Sequence, residues 1–142
     1  MSIVVEGVLE YPVAQVWQVV SNFSGLKAWH PLVSECYLIG TGIGCERVVA
    51  IGERRVHERL EEFDEANHSL TYEITKIDDP AVVGTRSSIT LEALPGDHTR
   101  IRWVTLLRGS ARPSDDVATA MQQRYTTRIG HLTQALESGV GK

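Results

Sequence analysis

The feature that most limits what this chain can fold into is one long amphipathic helix near its C-terminal end. Pro113 and Ser114, followed by Asp115 and Asp116, supply a capping hydroxyl and acidic residues for a first turn. Ala118, Met121, Tyr125, Ile129, Leu132 and Leu136 then recur at helical spacing, and Gly139 supplies a stop. The pattern predicts a helix over 114–137, about 24 residues and therefore ~36 Å long. A single apolar stripe of that length needs a broad apolar surface to lie on, and the rest of the chain has to provide it.

The preceding residues read mostly as strands. Residues 3–11 alternate, with Ile3, Val5, Leu9 and Tyr11 on one face and Glu6 and Glu10 on the other. Pro12 suits a first helical turn, and Val13, Val16, Trp17 and Val20 follow at i, i+3, i+4 and i+7. Asn22, Ser24, Gly25 and Pro31 keep that helix short, with a second short turn predicted over 23–29. Strands are predicted over 32–39, 45–51, 54–63, 69–77, 85–93 and 99–107. Gly52-Glu53 is a two-residue hairpin signal, and Pro95-Gly96-Asp97 turns the last pair. Gly40-Thr41-Gly42-Ile43-Gly44 and 64–68 read as connections, and Asp78-Asp79-Pro80 ends a strand on which Leu70, Tyr72 and Ile74 share one side. The order is strand, two short helices, six strands, long helix. It predicts an α+β fold in which an antiparallel sheet is covered on one face by the final helix.

Composition narrows the function classes. A chain of 142 residues, 42% hydrophobic and 23% charged, fits one domain over 1–142 with a core of its own. A net charge of −4 gives no basic footprint for nucleic acid. Cys36 and Cys45 are too few for a disulfide framework, although a hairpin would allow them to meet. The opening MSIVVEG has no cationic segment followed by an apolar run, and no apolar stretch approaches the ~18 residues of a membrane span. A cytoplasmic location is expected. His30, His57, His68, His98 and His131 show no metal-ligand spacing, and no nucleophile elbow, P-loop or dinucleotide fingerprint occurs. No metal and no cofactor are expected.

Five segments carry a family resemblance: VWQVVSNFSGLKAWHPLVSEC, GIGCERVV, HERLEEFDEANHSLTYEI, TRIRW and GHLTQAL. In this order they resemble the polyketide cyclase/dehydrase-like branch of the START and birch-pollen-allergen superfamily, often labelled SRPBCC. The plant abscisic-acid receptors are similar more weakly. The resemblance implies a helix-grip fold: a curved antiparallel sheet of about seven strands, two short helices, and a long C-terminal helix enclosing a cavity. It implies no particular reaction, because the superfamily holds carriers, receptors, cyclases and activators.

Glu58 is the first candidate site residue. It shares a strand face with Leu60, and the resemblance places the glutamate of its ERL motif in the pocket; the alternative is a solvated face beside Glu61 and Glu62. His30, in AWHP, stands where the receptors carry a ligand-binding lysine, so it is a candidate anion anchor or acid/base group, or else a loop histidine held by backbone. Trp29, Tyr72 and Trp103 are candidate cavity walls or plain core. Ser87 matches a pocket serine of the receptors and shares a face with Thr85, Ile89 and Leu91. Arg128 flanks Tyr125 on the helical stripe, and Arg124 lies one turn earlier. An inward arginine would pair with Glu58 or bind a ligand carboxylate, whereas an outward one keeps its head in water. The expected partner of Glu58 is Arg128 or His30. The receptors' gate and latch loops are replaced here by 51–54 and 80–84, which argues against abscisic acid as the ligand.

The reading is therefore a module that binds a small apolar or amphipathic molecule, with a homodimer left open. The alternative is a polyketide cyclase/dehydratase-type enzyme using Glu58 and His30 as acid/base groups.

Overall fold

A computed structural model of the chain describes residues 2–107 and 115–140. Strand β1 (Ser2–Leu9) leads into helix α1 (Val13–Val20) and a single 3-10 turn at Leu26–Ala28. Six strands follow: β2 (Val33–Ile39), β3 (Glu46–Ile51), β4 (Arg54–Asp64), β5 (Ser69–Lys76), β6 (Arg86–Leu94) and β7 (His98–Leu106). A second 3-10 turn, Pro80–Val82, stands between β5 and β6, where only a strand break is legible in the sequence. Helix α2 (Asp115–Glu137) ends the fold, one residue from the predicted start. The expected cap at Ser114 lies outside the described residues.

The seven strands form one antiparallel sheet in the order β1-β7-β6-β5-β4-β3-β2. Strands β2 to β7 follow one another as a meander, and β1 closes the far side against β7. Each hairpin is set by its turn. At Gly52 the backbone takes φ 62°, which glycine adopts without a Cβ clash, so β3 and β4 pair from Ile51↔Arg54 outward to Arg47↔Glu58.

Alternation on the strands and the stripe on α2 meet in one core. Leu60, Tyr72, Leu91 and Trp103 are buried in the same cluster as Met121, Tyr125, Ile129 and Leu132. Helix α2 lies against β1, and Gly7 makes that approach close: a Cβ there would stand 3.2 Å from Ile129 Cγ2. Helix α1 packs against β6 and β7 and buries Val16, Trp17, Val19 and Val20. Cys36 and Cys45 are free thiols rather than a bridge. Among the described residues no helix is long and apolar enough to cross a membrane.

Candidate ligand cavity

Between the concave sheet face and α2 is a cavity of about 550 Å³. Its apolar wall comes from inward residues of β3 to β7, including Val49, Leu70, Tyr72, Ile89 and Trp103, and from Met121, Tyr125 and Leu132 of α2. The 3-10 turn after α1 contributes Leu26, with Trp29 and His30 following it. At one end stand the β3–β4 hairpin, through Ile51 and Arg54, and the β5–β6 connection, through Ile77, Asp79 and Val82. A 3.5 Å ion pair between Arg54 and Asp78 joins the two.

Glu58 lies in the cavity wall, and its partner is neither of the residues expected. Arg47 Nε donates to Glu58 Oε1 at 2.8 Å, straight across the β3–β4 ladder. Arg47 is 6% exposed and Glu58 9%, so the pair is dry on nearly all sides. Arg47 Nη1 also donates to the Phe23 carbonyl at 3.0 Å, and its guanidinium lies 4.1 Å from the Phe23 ring centre and 4.7 Å from that of Tyr72. The cation is thus held by a carboxylate, a carbonyl and two aromatic faces. The prediction that Arg128 or His30 pairs with Glu58 fails because register puts Arg47 directly opposite Glu58, closer than anything on α2 or the loop. Tyr72, beneath this cation, has its hydroxyl pKa pushed up by burial and then by the Glu58 charge.

Arg128 turns inward instead. Its guanidinium stands 5.2 Å from the Tyr125 ring centre and 5.6 Å from that of Trp103, two rings that themselves pack 5.1 Å apart. Its Nε is shut off from solvent with no hydrogen-bond partner, and among the described residues it has no carboxylate within ion-pair distance. Arg124, one turn earlier, borders the cavity but is exposed.

His30 is 5% exposed and accepts a 3.3 Å hydrogen bond at Nδ1 from the Leu32 backbone N–H. Its pKa falls to about 4, first through burial and then through the charges of Arg128, His131 and Arg47. The ring is therefore neutral near pH 7 and offers the cavity a hydrogen-bonding group rather than a positive charge. His131 of α2 also lines the cavity, its ring centre 5.7 Å from that of His30.

Of the remaining candidates, Trp29, Tyr72, Trp103 and Tyr125 all form walls. Ser87 does not. Its hydroxyl is buried beneath the wall in a 2.9 Å hydrogen bond with Thr105 of the neighbouring strand, so the expected pocket serine is instead a cross-strand link. Among the lining residues that sequence reasoning did not single out are Arg47 and His131. Arg47 shares the inward face of β3 with Val49 and Ile51, and the hairpin register pairs it with Glu58, so a signal for it existed.

A search of curated proteins returned no match. Solved structures match closely in fold. The protein XoxI from Bacillus cereus is 21% identical, with 94% of each chain covered and a TM-score of 0.83. A protein from Thermobifida fusca is 25% identical over 93% of this chain and 90% of its own, with a TM-score of 0.76. Ara h 8.0201 is 17% identical over 98% and 99%, with a TM-score of 0.77, and carries the same birch-pollen-allergen-like helix grip. The model of one sequence family, polyketide cyclase / dehydrase and lipid transport, matches residues 2–137, and with nearly the whole length accounted for, the chain belongs to that family.

Proposed function

We propose that the chain binds a small, largely apolar molecule in the cavity between sheet and α2. The observation that carries this reading is the cavity itself: about 550 Å³ walled mainly by aromatic and aliphatic side chains. That is the size and lining expected of a small-molecule site. The buried acid fits the same reading. Glu58 is tied to Arg47 and so forms part of the wall's own structure. His30, the other group of the acid/base reading, is neutral beside the cavity, and its lowered pKa makes it a weak base near pH 7.

A neutral solvatochromic dye, Nile red, tests the reading. Saturable blue-shifted fluorescence is expected with the wild-type chain. A ligand at 100 times its Kd should also add ~2.7 kcal/mol of stability, visible as a raised Tm. Leu132→Trp, which fills the cavity from α2, should abolish the signal while the chain still melts cooperatively. Dye binding that survives this filling would place the site elsewhere. If a bound molecule were chemically converted and His30→Ala stopped conversion without weakening binding, an enzyme would replace a binding module.

A further inference from the structure

Among the described residues, one charge at the cavity has no carboxylate to answer it. Four arginines line the cavity, and their situations differ; Arg124 is exposed. Arg47 is satisfied by Glu58 and by the Phe23 carbonyl. Arg54 is exposed and paired with Asp78. Arg128 alone of these four stands over Trp103 and Tyr125, with a solvent-excluded Nε that donates to no acceptor. An unpaired buried donor forfeits a hydrogen bond, and a partly desolvated cation without a counter-ion costs more.

A second orphan borders the same space. Trp103 Nε1, on the ring that Arg128 covers, is also buried without a partner. Both unmet groups are obligate donors: an indole N–H and a guanidinium N–H have no lone pair to offer. A third unpaired nitrogen, His131 Nδ1, lines the same cavity and takes either role according to its tautomer. Among the described residues the only buried carboxylate of the wall is Glu58, which is already engaged. Arg128 thus brings a positive charge to the cavity wall, and among the described residues no buried carboxylate is free to answer it.

Resting on the binding function proposed above, we infer that the ligand is an apolar carboxylate, or an equally planar anion, whose charged end is taken by Arg128 over the Trp103–Tyr125 platform. The guanidinium fork matches a carboxylate with two parallel hydrogen bonds, and its aromatic seat orients it without neutralising it. The tail of the ligand then fills the space bounded by Val49, Leu70 and Ile89. Recognition sits on α2, not at His30, whose neutral ring leaves Arg128 as the cation for this role.

The test uses 2-naphthylacetate and its methyl ester, nearly equal in apolar surface and different in charge, displacing Nile red from the full chain at pH 7.5. The acid is expected to bind at least tenfold more tightly than the ester. Arg128→Gln should bring the two within about threefold. Arg128→Lys keeps the charge but loses the fork, and should retain only part of the preference, which guards against a misfolded glutamine variant. Equal binding of acid and ester to the wild-type chain would overturn the inference and leave the binding module standing. So would a preference that survives Arg128→Gln. If Nile red itself fails to bind, the proposed function falls and the inference with it.

Discussion

Arg47 and Glu58 are held from several directions, and that arrangement sets how costly each is to lose. Breaking a buried pair leaves one uncompensated charge, at about 3–5 kcal/mol, whereas an exposed pair is worth at most ~1. Arg47→Met should therefore lower stability in urea unfolding by several times more than Arg100→Met, which breaks the exposed Arg100–Glu92 pair. The double change Arg47→Met with Glu58→Met should recover much of that loss, because no orphan charge remains. The His30 ring gives a pH dependence. A histidine in the unfolded chain takes up its proton near 6.5, but this one does so only near 4 in the fold. Its stabilising contribution is complete above pH 6.5 and is lost as the pH falls towards 4, up to about 3 kcal/mol. Urea midpoints measured between pH 7 and 4.5 should fall more steeply for the wild type than for His30→Asn, whose amide oxygen can still accept from Leu32. Identical slopes would mean that His30 is not the depressed group. Much of this was legible at residue level. Face-sharing with Leu60 put Glu58 in the wall, and the Gly52-Glu53 turn implied the register that pairs it with Arg47. Arg128 was the opposite case, since the edge of a helical stripe allows an arginine to point either way until the sheet beneath it is known.

At the scale of elements, β4 departs from simple alternation, and no local pattern announces it. Leu60 pairs with Tyr72 and Phe63 with Leu70, so β4 advances three residues while β5 moves back two. Glu61 is the extra residue of a bulge, and the inward phase shifts from even positions to odd ones. Phe63 consequently lies on the inner side, 5.5 Å from the ring of Trp17 on α1, where unbroken alternation would put Glu62. A second irregularity, between His57 and Glu58, leaves Thr75 of β5 unpaired, its hydroxyl donating to Glu46 Oε2 at 3.1 Å. The strand boundaries were readable from turn residues, but such shifts depend on what packs behind the sheet. Gly7 is another element-level constraint. With a Cβ already 3.2 Å from Ile129, Gly7→Val should force α2 outward and cost about 1–3 kcal/mol in chemical denaturation. Combined with Ile129→Ala, which vacates the contact, it should cost less than the sum of the two single changes. Strict additivity would mean that Gly7 does not set the distance between α2 and β1.

For the whole molecule, the order of elements and the apolar stripe on α2 were enough to predict an antiparallel sheet covered by a final helix, and the family resemblance added the cavity. What the cavity prefers depends on which polar groups the finished fold leaves unpaired, and a linear pattern does not record that. The central claim, that a ligand occupies the space between sheet and α2, has an internal reporter. Trp29 and Trp103 line the cavity, whereas Trp17 packs outside it against Phe63 and His68, at 5.5 and 5.4 Å. The indole N–H resonances of the ¹⁵N-labelled chain, assigned with single Trp→Phe variants, can be followed as 2-naphthylacetate is added to saturation. Binding in the cavity predicts that the Trp103 and Trp29 signals move together with one Kd while Trp17 stays in place. A saturable interaction seen by calorimetry that leaves Trp103 and Trp29 unmoved, or shifts Trp17 alone, would contradict the claim.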